Sequence, residues 1–180
     1  MDVLYLSGSP RRGGNTERLL AMMQEALPGE MLRVMDYEIG PCRSCCACLD
    51  RGRCVIEDGF TREILPRMIE CDVLIIGCPV YFNNVPSQTK ALMDRTWAYR
   101  TELRNTIAGA VVVGRRYGGE SAITALHSFY LKHEMIPANR GVYGLAYDAG
   151  EIEHDTEAIE AARHLAERIV ELDRLLAGTD

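Results

Sequence analysis

Short apolar runs alternate along the chain with longer stretches in which apolar positions recur every three or four residues. The short runs are Val3 to Leu6, Met31 to Met35, Val73 to Ile76, Ala108 to Val113 and Val142 to Ala146. Each is bounded by Gly, Pro or polar residues, the pattern of a strand covered on both faces. The clearest helix is the last segment, where Ala158, Ala162, Leu165, Ile169, Leu172 and Leu176 recur at alternating steps of four and three with charged residues between them. Asn15 or Thr16 can cap another helix running to about Ala26, which Pro28 and Gly29 end, and Pro86 suits the first turn of a third carrying Leu92, Met93 and Trp97. Strands alternating with helices predict a five-stranded parallel sheet with helices on both faces, because each right-handed crossover buries its helix against the sheet. The expected fold is a doubly wound α/β sandwich.

With 180 residues, 47% of them hydrophobic, the chain is long enough for one well-buried core and short for two, so a single domain over 1–180 is expected. The opening MDVLYLSGSPRR lacks the basic region and cleavage site of a signal peptide, and no span reaches transmembrane length. A cytoplasmic protein with no membrane partner is the expectation. The formal charge of −6 disfavours nucleic acid, although 18 of the 20 basic residues are Arg and can dock anions locally.

The one long irregular stretch, 40–59, holds five of the seven cysteines. Cys42, Cys45, Cys48 and Cys54 form C-x2-C-x2-C-x5-C with Cys46 set aside. Disulfides, zinc and an iron-sulfur cluster could each use that sulfur; in a reducing compartment disulfides rank last. Cys71 and Cys78, on either side of the third strand, read as small buried hydrophobes. His127, His133, His154 and His164 lie far apart and read as solvated helix positions.

In a doubly wound sheet, ligands bind beyond the carboxyl ends of the strands. After strand one, SGSPRRGGNTERLL brings hydroxyls at Ser7, Ser9 and Thr16, the Asn15 amide and free backbone amides to a helix start, which suits a phosphate as well as an ordinary turn. It matches neither the dinucleotide nor the P-loop glycine pattern. After strand three, Pro79, Val80, Tyr81 and Phe82 offer flat apolar surface and Asn83 and Asn84 offer amides, a slot for a planar heterocycle. After strand four, GRRYGGES adds a glycine-rich loop with Arg115, Arg116 and Tyr117.

Together SGSPRRGGNT, PVYFNNVPSQTKALMDR and GRRYGGE resemble the flavodoxin-like NAD(P)H-dependent FMN reductases over nearly the whole chain. That resemblance implies a sheet of order 2-1-3-4-5 and an FMN site. Ser7, Ser9, Pro10, Arg11, Asn15 and Thr16 would hold the phosphate, Pro79 to Asn84 would line the ring, and the loop from Gly114 through Tyr117, Gly118 and Gly119 would close over it. The cysteine loop resembles that of the iron-sulfur flavoproteins, which implies a [4Fe-4S] cluster on Cys42, Cys45, Cys48 and Cys54, with Cys46 pointing away. Four-cysteine zinc sites more typically pair two distant C-x2-C knuckles.

The loop leaves the second strand, so flavin and cluster are expected close together on one edge of the sheet. Arg43, Arg51 and Arg53 read either as surface charges or as cations that would offset the charge of the cluster. The family resemblance implies an FMN-dependent oxidoreductase with no catalytic side chain. It would take electrons from a donor such as ferredoxin or NAD(P)H, pass them to a small-molecule acceptor, and assemble as a homodimer or homotetramer. The alternatives are a cluster-free NAD(P)H-dependent FMN or quinone reductase and a non-catalytic zinc-binding adaptor.

Overall fold

The computed structural model describes residues 1–178. Its strands are β1 (Val3–Ser7), β2 (Glu30–Arg33), β3 (Val73–Pro79), β4 (Ile107–Gly114), β5 (Ile136–Pro137) and β6 (Val142–Leu145). The α-helices are α1 (Asn15–Ala26), α2 (Ala47–Arg51), α3 (Leu65–Glu70), α4 (Ser87–Arg95), α5 (Gly119–Lys132) and α6 (Thr156–Ala177). All the ladders are parallel and run β2-β1-β3-β4-β5, the expected order, with β6 also on β4.

The sheet separates two apolar layers. Leu19, Leu20 and Met23 of α1 and Leu165 and Ile169 of α6 pack on one face; Met68 of α3, Leu92 of α4 and Leu126 of α5 pack on the other. Full burial of such side chains contributes about 1.5–3 kcal/mol each. Gly77 lets α1 settle close to the carboxyl ends of β1 and β3, since a Cβ there would come 2.6 Å from Leu20.

Several local readings change. The fifth strand is split: Ile136–Pro137 pairs with Ile107 and Ala108, then Asn139 and Gly141 make a turn before Val142–Leu145 pairs with Val111 to Gly114. Pro137 has no N–H for the ladder, which favours the interruption. Strand two stops at Arg33, because Val34–Asp36 turns into a 3-10 segment. Gly14, rather than Asn15 or Thr16, caps α1, and Trp97 lies in a 3-10 turn beyond α4. His133 is buried, contrary to the solvated reading: its Nε2 lies 2.8 Å from Thr96 Oγ1, its ring packs edge-on to Phe129, and burial lowers its pKa. Cys71 and Cys78 are buried, as expected, and burial raises each thiol to about 12. Among the described residues, no helix is long and apolar enough to cross a membrane.

Candidate functional site

Three strand ends meet around a hollow of about 220 Å³. Ser9, Pro10, Arg11, Asn15 and Thr16 wall it from the turn after β1; Pro79, Val80 and Tyr81 from the end of β3; and Gly114 from the end of β4. Nine of the expected positions therefore come together, with Arg11 forming no ion pair among the described residues. The turn is held from behind by Glu17, which accepts from the Ser7 hydroxyl at 3.1 Å, the Gly13 amide at 2.7 Å and Arg33 Nε at 2.5 Å. Ser7 thus serves the loop's shape and does not wall the hollow. The Asn15 side chain borders the hollow but bridges to Asp148 O at 2.7 Å and the Gly150 amide at 2.8 Å.

Phe82, Asn83 and Asn84, expected along the ring, do not wall this hollow. Phe82 and Asn83 both have positive φ, 48° and 59°, in a tight turn closed by Tyr81 N donating to Asn84 O at 2.8 Å. Phe82 at the tip is fully exposed. Tyr117 is also exposed, at 70%, while Gly118 and Gly119 pack behind the hollow against Asn83 and the Tyr143 ring. Arg115, in the loop expected to close over the ring, also walls the hollow, whereas sequence reasoning did not place Val113, Ala146 or Tyr147 there. The signal for the last two was available: they follow the fifth strand, at the same carboxyl edge. The Arg115 guanidinium lies 5.4 Å from the Tyr147 ring. Two arginines, a helix start and half-exposed tyrosines suit an anionic, partly aromatic ligand.

A second hollow, about 560 Å³, has Cys42, Cys45, Cys48 and Cys54 in its walls, facing Asp94, Arg95 and Trp97. The chain reaches it through left-handed residues at Ser44 and Cys46, which turn the backbone into the short helix α2 that carries Cys48. Cys46 borders the hollow as well, contrary to expectation, but its thiol lies 3.6 Å from Ser44 O as a donor. Cys42, Cys45 and Cys46 are exposed, Cys48 and Cys54 half-buried. Among the described residues, no three His, Cys, Asp or Glu side chains are gathered as for a single metal ion. A lone zinc needs its ligands to converge on one point, whereas thiolates of a polynuclear cluster bind separate irons.

The base of this loop is hydrogen-bonded across its two feet. Gly59 N donates to Glu38 O at 3.0 Å, Gly40 N to Asp58 Oδ2 at 2.9 Å, and Cys54 N to Tyr99 Oη at 3.1 Å. Arg95 joins both feet, reaching the Gly40 carbonyl at 2.8 Å and Asp58 at 2.7 Å. Arg43, Arg51 and Arg53 are exposed, and only Arg43 of the three borders the hollow, so the buried cation of the site is Arg95, which sequence reasoning missed.

The two hollows share no wall residue. Pro79 to Tyr81 flank the first before α4 begins, whereas Asp94 and Arg95 at the end of α4, with Trp97 and Ala98 beyond it, flank the second. The helix itself is nine residues, roughly 14 Å, long. The cysteine loop does leave the carboxyl end of β2, but its thiols face the far end of α4. The two hollows thus lie at different points along α4 within one chain.

Residues 1–150 match the sequence profile of the family described as NADPH-dependent FMN reductase. An iron-sulfur flavoprotein of Methanocaldococcus jannaschii is 38% identical over 192 residues, covering 98% of this chain and 99% of that protein. One from Methanosarcina thermophila is 31% identical and covers 98% and 97%. A putative NAD(P)H-dependent FMN-containing oxidoreductase of Bacillus subtilis is 24% identical, covering 93% and 98%. Among solved structures, RosB with bound 8-demethyl-8-formylriboflavin-5'-phosphate shares the fold with a TM-score of 0.81 at 20% identity, covering 99% of this chain and 81% of that one. The chain belongs to the iron-sulfur flavoproteins within the NADPH-dependent FMN reductase family, and it is an FMN-dependent oxidoreductase.

Proposed function

We propose that the chain holds FMN in the first hollow and a [4Fe-4S] cluster in the second, and passes electrons between a reduced carrier, such as ferredoxin or NAD(P)H, and a small acceptor. The observation that carries this reading is that all four cysteines of C-x2-C-x2-C-x5-C border one hollow braced by a buried arginine. When bound, the two groups together exchange two-electron for one-electron chemistry, and the protein's work is to hold and tune them.

In this proposal Ser9, Arg11, Thr16 and the amides opening α1 hold the phosphate. Pro79, Val80 and Tyr81 support the ring, with Tyr147 and Arg115 opposite. Cys42, Cys45, Cys48 and Cys54 ligate the cluster. The site is in the cytoplasm, where unpaired thiols persist. Because α4 separates the hollows within one chain, a homodimer or homotetramer brings one copy's cysteine hollow toward another copy's flavin hollow; half-exposed Trp97, at the cysteine hollow, offers apolar surface for that contact.

Gly118 gives a test of the flavin hollow. Its φ is +84°, and a Cβ there would come 2.5 Å from Asn83 Cα, in the turn that carries Tyr81. Backbone strain of this kind costs about 1–3 kcal/mol. Gly118→Ala is expected to weaken FMN binding by about tenfold or more, read by fluorescence titration of the flavin-free chain. An unchanged Kd would place the FMN elsewhere.

Electron delivery tests the function. Under anaerobic conditions a reduced ferredoxin is expected to bleach the flavin of the wild-type chain quickly and that of Cys45→Ser slowly. Equal rates would remove the cysteines from the electron path. A second reading, a cluster-free NAD(P)H-dependent reductase, is favoured by the exposure of Cys42, Cys45 and Cys46, which leaves those thiols open to solvent. For it, NADPH bleaches the flavin equally in both chains and no iron is bound.

A further inference from the structure

Arg95 closes α4 with its side chain fully enclosed, in the wall of the cysteine hollow. A guanidinium carries five N–H donors. Four are committed: Nη1 donates to Gly40 O at 2.8 Å and Asp58 Oδ2 at 2.7 Å, and Nη2 to Ile56 O at 2.9 Å and Asp58 Oδ1 at 3.2 Å. The fifth, on Nε, is buried without a hydrogen-bond partner among the described residues. A buried donor left unmade costs about 1–3 kcal/mol, and more when charged, so an acceptor is called for.

The neighbours narrow the choice. The Phe60 ring lies 5.2 Å from the guanidinium and offers no lone pair. Cys54 shares the wall of the hollow with Arg95 and lies two residues from Ile56, whose carbonyl Nη2 already holds. The Cys54 backbone is itself held in place, by Tyr99 four residues beyond Arg95. Sulfur bearing negative charge, as a metal-ligating thiolate does, accepts such a bond strongly.

We propose that Arg95 is a positioning residue for Cys54, its Nε–H donating to the Cys54 sulfur while its other four donors lock both feet of the cysteine loop. The consequence for the cluster rests on the function proposed above; the contact itself does not. A donor on a ligand sulfur stabilises the extra negative charge of the reduced cluster and so raises its potential. Arg43, Arg51 and Arg53, being exposed, are screened by water and salt and do this less.

The test uses the full-length, FMN-loaded chain before and after cluster reconstitution. In 15N-labelled, metal-free protein, the Arg95 Nε–H signal is expected to exchange slowly and to shift on Cys54→Ala, and to stay in place on Cys42→Ala. No response to Cys54→Ala would overturn the contact. In reconstituted protein, Arg95→Lys retains a cation against Asp58 but lacks the Nε–H. The expected result is a lower cluster midpoint potential at unchanged iron and sulfide content, with Arg53→Lys at the wild-type value. A wild-type potential in Arg95→Lys would overturn the proposal. If Arg95→Lys does not fold, the Cys54→Ala comparison decides it. If wild-type chain takes up no iron or sulfide, the cluster reading falls, and the Nε–H measurement alone decides the contact.

Discussion

Replacing Arg95 by methionine is expected to cost about 3–5 kcal/mol of folding stability, because it leaves a buried charge without its partner. Asp58 is only 9% exposed, and the Gly40 carbonyl would lose its donor as well. Exposed pairs such as Lys90 with Asp94, by contrast, contribute under about 1 kcal/mol. Urea unfolding of Arg95→Met beside Lys90→Met reads the difference, and a loss below about 1 kcal/mol for Arg95→Met would mean that the clamp does not hold the loop. The same pair responds to acid. Burial pushes the Asp58 carboxyl up, but hydrogen bonds from Arg95 and the Gly40 amide, with the charge of Arg95, outweigh it and leave the pKa below the usual carboxylate value. A depressed native pKa gives a contribution present in full above the unfolded carboxylate's pKa and lost as the pH falls through the native one. The loosening is therefore confined to below about pH 4, and Asp58→Asn flattens that limb.

Serine at Cys48 is expected to reduce bound iron from about four per chain to near none while leaving FMN bound. The hydroxyl of serine is a far weaker, harder ligand than a thiolate, and three thiolates leave one iron open to solvent and loss. Cys48 is half-buried on α2, in the wall of the hollow, and the hollow proposed for FMN has no cysteine in its wall. Cys46 is the internal control: its thiol is occupied with Ser44 O, and Cys46→Ser is expected to keep its iron. Iron assay and visible absorbance on the two variants decide the matter. If Cys46→Ser loses iron as Cys48→Ser does, the ligand set is misassigned.

The parallel sheet was legible because strands buried on both faces must be apolar throughout, and Val3–Ser7, Val73–Pro79 and Ile107–Gly114 are enclosed along almost their whole length; the strand order came from the family resemblance, since apolar runs do not say which strand lies beside which. The turn after β1 was legible in composition but not in detail. Whether Ser7 faces a ligand or Glu17 depends on how the first turn of α1 folds back, a tertiary fact. The placing of Phe82 was likewise not legible: an aromatic after a strand suggests a binding wall, but two left-handed residues turn its side chain out to solvent.

Arg95 left a trace that went unread. The buried positions of α4 are Thr89, Leu92 and Arg95, so a charged residue occupies a core register at the helix end. Its partners lie 37 to 55 residues earlier in the chain, which periodicity cannot link to it. The separation of the two hollows escaped for a similar reason. Topology says where the cysteine loop leaves the sheet, but the clamp on Gly40, Ile56 and Asp58 determines where its thiols end up.

The most direct test is a composition measurement on protein purified without oxygen, counting FMN, iron, acid-labile sulfide and zinc per chain. The proposed function predicts about one FMN with about four irons and four sulfides. Flavin without iron, or zinc in place of iron and sulfide, would contradict it.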